Sequence, residues 1–220
     1  MKRPRREFKP PAAYRRRDPI REPYDRVLVV CEGRETEPNY FNALRSAYNL
    51  SSANVKACPS DFGNDPVSVV AFAERELDQN PDYTRAYCVF DRDGHANYAD
   101  AIARLANSPH SRIGRLFVAN SVPCFEIWLL LHYRFSTAPI VPAGGFSAAD
   151  VTIRELRTHF PNYEKNRRDI FSVTCDKIEI AVAHAARLMR DNATSGADNP
   201  ATRVHELVDY LRGLRRNPNG

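Results

Sequence analysis

Two short apolar segments that each run directly into acidic residues constrain the fold of this chain more than any other feature. The first lies in the stretch RVLVVCEGRETE, and the second in the stretch AYCVFDRDG. Short, uniformly apolar segments rich in Val, Tyr and Phe predict strands buried on both faces, as in a parallel sheet. Parallel sheets bind ligands at the carboxyl ends of their strands. We therefore expect Glu32, Asp91 and Asp93 to meet at one edge of a sheet.

The alternation of strands and helices continues to about residue 120. Four segments predict strands, with helices between them: Arg26–Cys31, Asn54–Cys58, Ala86–Phe90 and Arg115–Ala119. Asp65 and Pro66 predict the start of the second helix, since aspartate caps a helix and proline suits its first turn. The β-α-β-α-β-α-β order predicts an α/β fold, with a parallel sheet of about four strands, flanking helices and right-handed crossovers.

Helical patterns predominate from Pro123 onward. The predicted helices are Phe125–Tyr133, Ala149–His159, Cys175–Arg190 and Ala201–Leu214. We expect three parts in the chain: a basic disordered tail at residues 1–22, an α/β core at residues 23–121 and a helical C-terminal portion at residues 122–220. We expect the helical portion to pack on the core or over its ligand-binding edge.

The positive charge of the chain is concentrated at its start. Nine Lys or Arg side chains and three acidic ones give residues 1–22 a net charge of +6, whereas the whole chain carries +5. The remaining residues are therefore close to neutral, which argues against a globally basic surface for nucleic acids. The tail is either a solvated leader or an arm that contacts phosphates.

Cysteine usage and hydropathy predict a cytoplasmic protein. The five cysteines are scattered, without a Cys-x-x-Cys pair. This usage favours reduced thiols over a disulfide framework or a zinc cluster. The apolar run Ile127–Leu131 is far shorter than the roughly 20 residues of a membrane helix. The N-terminus has no apolar segment typical of a secretory signal, so we expect no membrane association.

The acidic residues at the two strand exits together predict a metal site. Converging carboxylates repel one another unless a cation neutralises them. Mg²⁺ binds through one or two carboxylates together with substrate phosphate oxygens. Gly33 would let the backbone approach a ligand, and Asp91 and Asp93 could face one cation. An ordinary acidic turn is the alternative for either motif alone, but both lie at the same predicted edge.

Two later residues are further candidates for the site. Glu126 lies in the first turn of an apolar helix, where a carboxylate is costly unless a cation or helix amides stabilise it. A surface position on an amphipathic helix is the alternative. Lys165 belongs to a basic cluster with Arg167 and Arg168, and this cluster could stabilise charge at a phosphoryl centre or simply be a solvated loop. The sequence has no GxxxxGK[ST] or GxGxxG motif, so we expect no ATP binding.

Four motifs, in this order, resemble the RloB family of bacterial proteins: VVCEGRETEPNYF, YCVFDRDG, PCFEIWLLLHY and NPATRVHELV. The similarity runs from about Arg26 to Leu214. The first two motifs also resemble the Glu and DxD motifs of Toprim domains, which hold Mg²⁺ or Mn²⁺ to cut or rejoin phosphodiesters. The resemblance implies a Toprim-like core with Glu32, Asp91 and Asp93 as metal ligands. It also implies a role in bacterial phage defence beside an ATPase partner, and it leaves a homodimer open.

The leading hypothesis is a Mg²⁺- or Mn²⁺-dependent nuclease effector of anti-phage defence, acting on DNA or RNA, including tRNA. Glu37 or Glu126 would serve as general base or second-metal ligand, and Lys165 would stabilise developing charge. Toprim nucleases of the overcoming-lysogenisation-defect type place a second glutamate four residues after the first. Here Glu35 lies three residues after Glu32 and Glu37 lies five after it, so either could complete a second site.

Two other functional classes remain open from the sequence. One is a non-catalytic module that binds nucleic acid or an ATPase partner, with a purely structural acidic edge. The other is a phosphotransferase or nucleotide-binding enzyme on the same fold. Metal-dependent cleavage of DNA and RNA substrates distinguishes the nuclease from both.

Overall fold

The computed structural model describes residues 25–52, 54–92 and 94–216. The tail predicted at residues 1–22 and the candidate metal ligand Asp93 lie outside the described residues. Within them, the chain forms an α/β fold in which a parallel sheet is flanked by helices and followed by a helical part, as the sequence predicts.

The main sheet has four parallel strands in the order β2-β1-β3-β4. Their bounds are β1 Val27–Cys31, β2 Val55–Pro59, β3 Arg85–Val89 and β4 Leu116–Val118, close to the predicted ones. All five residues of the central strand β1 are buried, which explains its uniformly apolar sequence. Cys31 pairs with both Pro59 and Val89, so the carboxyl ends of three strands lie level with one another. Residues that leave these strands therefore lie at one edge.

Successive side chains of β1 enter two different hydrophobic clusters, because side chains alternate across a strand. Leu28 and Val30 pack on one face of the sheet, against a first layer of helices, while Val27 and Val29 pack on the other face. The first layer is formed by α2 Pro66–Gln79 and α3 Tyr98–Asn107, which the short helix α4 Pro109–Arg112 follows. The Asp65 side chain accepts hydrogen bonds from the backbone N–H groups of Val67 (3.1 Å) and Ser68 (3.2 Å), which confirms the predicted cap.

The opposite face of the sheet is covered by α1 Thr36–Ala47 together with the helical part of the chain. That part comprises α5 Glu126–Leu130, α6 Ala148–His159, α7 Ile170–Thr174, the 3₁₀ turn Cys175–Lys177, α8 Ile178–Ser195 and α9 Val204–Arg216. Buried residues from α1 and from five of these segments share one cluster with the sheet. The helical part thus packs directly on the sheet.

The structure corrects several predicted elements after residue 120. Ala201–Thr202 is a strand, β6, and it pairs antiparallel with β5 Ser121–Val122, so the last helix begins later than predicted. The apolar helix predicted to reach Tyr133 ends at Leu130, and α7 has no predicted counterpart. Strands of two residues carry no periodic signal, so long-range pairing decides them.

All five cysteines are free, and three of them, Cys31, Cys88 and Cys124, are buried. Cys58 is half-buried and Cys175 is exposed. None of the helices in the described part of the chain is both long enough and apolar enough to cross a membrane.

Candidate functional site

A pocket of about 520 Å³ opens at the carboxyl edge of the parallel sheet. It is lined by the exit of β1, the first turn of α1, the exit of β3 and the start of α5, with further residues from the β2–α2 loop and the α6–α7 loop. The acidic residues of the lining are Glu32, Glu35, Glu37, Asp91 and Glu126. The structure therefore brings the described candidates of both strand exits together with Glu126.

Glu32 links the exits of two neighbouring strands. Its carboxylate accepts a hydrogen bond from the backbone N–H of Asp91 at 3.0 Å. The other carboxylate oxygen lies 2.5 Å from Nε2 of His95, with which it forms an ion pair when the imidazole is protonated. Burial raises the pKa of Glu32, although the Asp91 amide and His95 oppose the shift. No ligand spacing in the sequence marks His95 as a partner of Glu32.

Asp91 has a pKa that is shifted by its burial and by the charges of other pocket residues. Burial raises its pKa well above the ordinary value, and the charges of Glu37, Glu126 and Glu32 raise it further. A hydrogen bond from the backbone of Phe125 opposes this shift. The backbone of Asp91 also bridges to Ser121, which lies on the strand β5. Three carboxylates from separate segments therefore act on Asp91.

Of the two glutamates that follow Glu32, Glu37 is the one buried in the pocket. It is 7% exposed in the first turn of α1, whereas Glu35 is exposed at the cap position. Burial, with the charges of Glu126 and Glu32, raises the pKa of Glu37 to about 7. The Glu37 carboxylate occupies the space that a side chain at position 33 would need. Gly33 is therefore required for the position of Glu37.

Glu126 is 2% exposed, so the alternative of a surface position is wrong. Its Oε1 accepts a hydrogen bond of 2.9 Å from the hydroxyl of Tyr163, which is also buried. Burial and the charge of Glu126 raise the pKa of Tyr163, so the phenol stays protonated and donates. Tyr163 comes from the helical part of the chain, and sequence reasoning did not assign it to the site. No motif or spacing connects it to Glu126.

Lys165 lines the pocket, and its neighbours Arg167 and Arg168 are not part of the lining. The Thr36 hydroxyl donates to the backbone carbonyl of Lys165, which joins the α6–α7 loop to α1. The charge of Glu126 is the main cause that raises the pKa of Lys165. Arg167 instead pairs with Asp169 at 2.5 Å. The predicted basic cluster thus divides into one pocket residue and two residues outside it.

The donor chemistry of the pocket fits a hard divalent cation. Mg²⁺ takes carboxylate oxygens, and the repulsion that raises the pKa of Asp91 is what a cation would offset. Among residues 25–52, 54–92 and 94–216, however, no three His, Cys, Asp or Glu side chains are arranged to hold a metal ion. Glu32 is engaged with His95 instead. The residues fit the cation in chemistry, but their side chains as placed do not form a coordination sphere.

A model of the RloB-like protein family matches residues 27–211. The match spans both the parallel sheet and most of the helical part, including every pocket residue discussed above. Comparisons with curated proteins and with solved structures gave no significant match.

Proposed function

This chain belongs to the RloB-like family, and we propose that it is a Mg²⁺- or Mn²⁺-dependent nuclease with a Toprim-like core. It hydrolyses phosphodiesters of DNA or RNA as a cytoplasmic effector of bacterial anti-phage defence, beside an ATPase partner. One observation carries the proposal: besides the exposed Glu35, four buried or half-buried carboxylates, of Glu32, Glu37, Asp91 and Glu126, line a single pocket at the strand ends, with a lysine beside them. Such a convergence is costly without a cation and is typical of sites that process phosphates.

The metal-binding role falls to Glu32 and Asp91, with Asp93 as the third ligand that the sequence predicts. A cation held there would supply Lewis-acid chemistry, polarising the scissile phosphate and lowering the pKa of an attacking water. The protein positions these carboxylates through the level ends of β1 and β3, whose exits are tied by the hydrogen bond from the Asp91 amide to Glu32. Asp91 is held in turn by the Phe125 backbone.

The proton acceptor is Glu37 or Glu126. A general base works best when its pKa lies near the working pH. The pKa of Glu37, raised to about 7, meets this condition. Glu126 is held in one orientation by Tyr163, which suits either a base or a second-metal ligand.

Lys165 supplies positive charge to the transition state. Its ammonium lies close enough to Glu126 for that carboxylate to raise the pKa of the lysine, so it stays charged at neutral pH. A fixed positive charge beside a phosphodiester stabilises the negative charge that develops during hydrolysis.

The contact between Glu32 and His95 favours a second candidate function. An acidic edge whose glutamate already has an imidazole as partner can be structural, and the described side chains do not form a metal-binding group. In that case the chain is a non-catalytic module that binds nucleic acid or an ATPase partner.

Cleavage of a panel of labelled DNA and RNA with and without Mn²⁺ separates the two functions. We expect Mn²⁺-dependent cleavage by the wild type, and loss of both cleavage and calorimetric Mn²⁺ binding in Asp91→Asn. This substitution removes one charge at nearly constant shape and relieves repulsion, so the fold should be retained. Asp100→Asn, at an exposed position outside the pocket, is the matched control. Binding of nucleic acid without cleavage in any metal would instead identify the non-catalytic module.

A further inference from the structure

The pocket lining is divided by charge and by depth. The carboxylates of Glu37 and Glu126 belong to residues that are 7% and 2% exposed, so they form the floor. Arg34 and Lys165 also line the pocket, but both are exposed and form its rim. Within the described part of the chain, neither of these two side chains forms an ion pair. The pocket therefore presents an acidic floor beneath a rim that carries Arg34 and Lys165, with the exposed carboxylate of Glu35 beside Arg34.

This layout selects for one kind of ligand. The two cationic side chains at the rim favour an anion, whereas the carboxylates of the floor repel a simple anion that goes deeper. A phosphodiester that reaches the floor together with a divalent cation satisfies both layers, because its oxygens pair with the rim while the cation offsets the carboxylates. The exposed amides of Asn64 and Asn166 line the same rim and offer neutral hydrogen bonds to such a backbone.

The depth of the floor limits the shape of the ligand. The hydrogen bond from Thr36 to the Lys165 carbonyl holds the α6–α7 loop against the first turn of α1, and both residues line the pocket beside Glu37. A regular duplex is stiff and presents its phosphates on a convex surface, so it cannot lower one of them into a recess without deformation. An unpaired strand is flexible enough to enter, and enzymes that act in recessed pockets accept single-stranded or extruded nucleotides.

We propose that the pocket takes an unpaired nucleic-acid strand, one phosphate of which is held between Arg34 and Lys165. The inference rests on the nuclease function for the site of reaction, but it concerns binding and has its own test. Arg34 is a residue that no motif in the sequence assigns to the site. Its position after Gly33, in the turn that also places Glu32 and Glu37, puts a cation at the rim beside both carboxylates.

The test measures affinity by fluorescence anisotropy for one labelled sequence as a single strand and as a duplex. The full chain is used, Ca²⁺ replaces Mg²⁺, and gels confirm that the strands stay intact. We expect the single strand to bind about tenfold more tightly than the duplex. Arg34→Gln should weaken single-strand binding severalfold and lower the salt slope of its binding constant by about one.

Arg112→Gln is the matched control, because it removes the same charge from an exposed residue at the opposite edge, just before β4. It should bind the single strand as the wild type does. Equal or tighter binding of the duplex, no binding of either form, or the same affinity in Arg34→Gln and Arg112→Gln would each overturn the inference. Cleavage is measured separately. Equal cutting of single strand and duplex would reject the inference but would still support the proposed nuclease function. Arg34-dependent binding without cutting in Mn²⁺ rejects the nuclease alone.

Discussion

At the scale of single residues, Glu126 is the most informative position in the protein. A buried carboxylate costs free energy, and one phenolic hydrogen bond recovers only part of that cost. An apolar residue in this helix of apolar residues would be more stable, so the carboxylate at this position is better explained by function than by folding. Tyr163, whose hydroxyl donates to this carboxylate, then acts as a positioning residue.

Glu126→Gln should separate function from stability. The substitution keeps the oxygen that accepts from Tyr163 but removes the charge, so thermal stability should change by less than about 1 kcal/mol. Mn²⁺-dependent cleavage should fall by about two orders of magnitude or more, as for a lost base or ligand. Unfolding and cleavage are measured on one preparation. Near-normal cleavage by a folded variant would exclude Glu126 from the site.

Tyr163→Phe is the complementary change, because it keeps the charge of Glu126 and removes the hydrogen bond that orients it. The buried ring is retained, so the loss of stability should stay at about 1–3 kcal/mol, the cost of an unsatisfied buried acceptor. Cleavage should fall less than in Glu126→Gln, since the carboxylate itself remains. A larger loss than in Glu126→Gln would show that Tyr163 acts on the substrate directly.

At the scale of elements, the β1–α1 turn builds much of the site within one short segment. Glu32 leaves the strand, Gly33 leaves space, Arg34 reaches the rim, and Glu37 enters the floor from the first turn of the helix. The local compactness depends on Gly33, because a side chain there would overlap the Glu37 carboxylate.

Gly33→Ala should therefore displace Glu37 without unfolding the protein. The obstructing atoms belong to the far end of a flexible side chain, so the carboxylate moves and the backbone does not need to. We expect cleavage to fall at least tenfold with a nearly unchanged melting temperature. Gly213→Ala is the matched control: a methyl group there meets no neighbour, and alanine should stabilise α9 by about 0.5–1 kcal/mol. Full activity in Gly33→Ala would show that cleavage does not depend on the β1–α1 turn or on the position of Glu37 that it sets.

The same elements show where sequence reasoning succeeds and where it stops. Strands such as Val27–Cys31 are predicted closely because burial on both faces leaves a purely apolar sequence. Glu32 and Asp91 follow from the rule on strand ends. His95 and Tyr163 carry no such signal, because their partners lie far away in sequence and only tertiary packing joins them. For Glu126 the sequence allows either a site carboxylate or a surface residue, and only burial distinguishes the two.

At the scale of the whole molecule, ionisation of the pocket should be visible in the stability of the protein. Glu37 has an ordinary pKa of 4.5 and a folded pKa of about 7, so the folded state binds its proton more tightly than the unfolded state. Its contribution to stability is complete below 4.5 and is lost as the pH rises through about 7. Buried His132, with its pKa lowered from 6.5 to about 4, acts in the opposite direction as the pH falls below 6.5.

The pH range from about 7 to about 8 therefore isolates the carboxylates, because His132 and His205, whose pKa values are lowered by burial, are mostly neutral there in both states. In metal-free buffer, the free energy of unfolding from urea titrations should fall as the pH rises across this range. Glu37→Gln should reduce that slope, whereas Glu35→Gln, at the exposed neighbouring position, should leave it unchanged. If the free energy of unfolding of Glu37→Gln still falls with pH as in the wild type, a group other than Glu37 is responsible for the pH dependence.

The pocket draws on both halves of the chain: Glu32, Glu37 and Asp91 come with the sheet, while Glu126 and Lys165, and the Tyr163 that orients Glu126, come from beyond it. When the ribosome has just completed the four parallel strands, it has therefore not yet made Lys165 or Tyr163. A premature stop codon before residue 163 yields a polypeptide that has the acidic strand exits but lacks both of these side chains. For a protein proposed to cut nucleic acid, this order of synthesis completes the proposed site only after about three quarters of the 220-residue sequence has been translated.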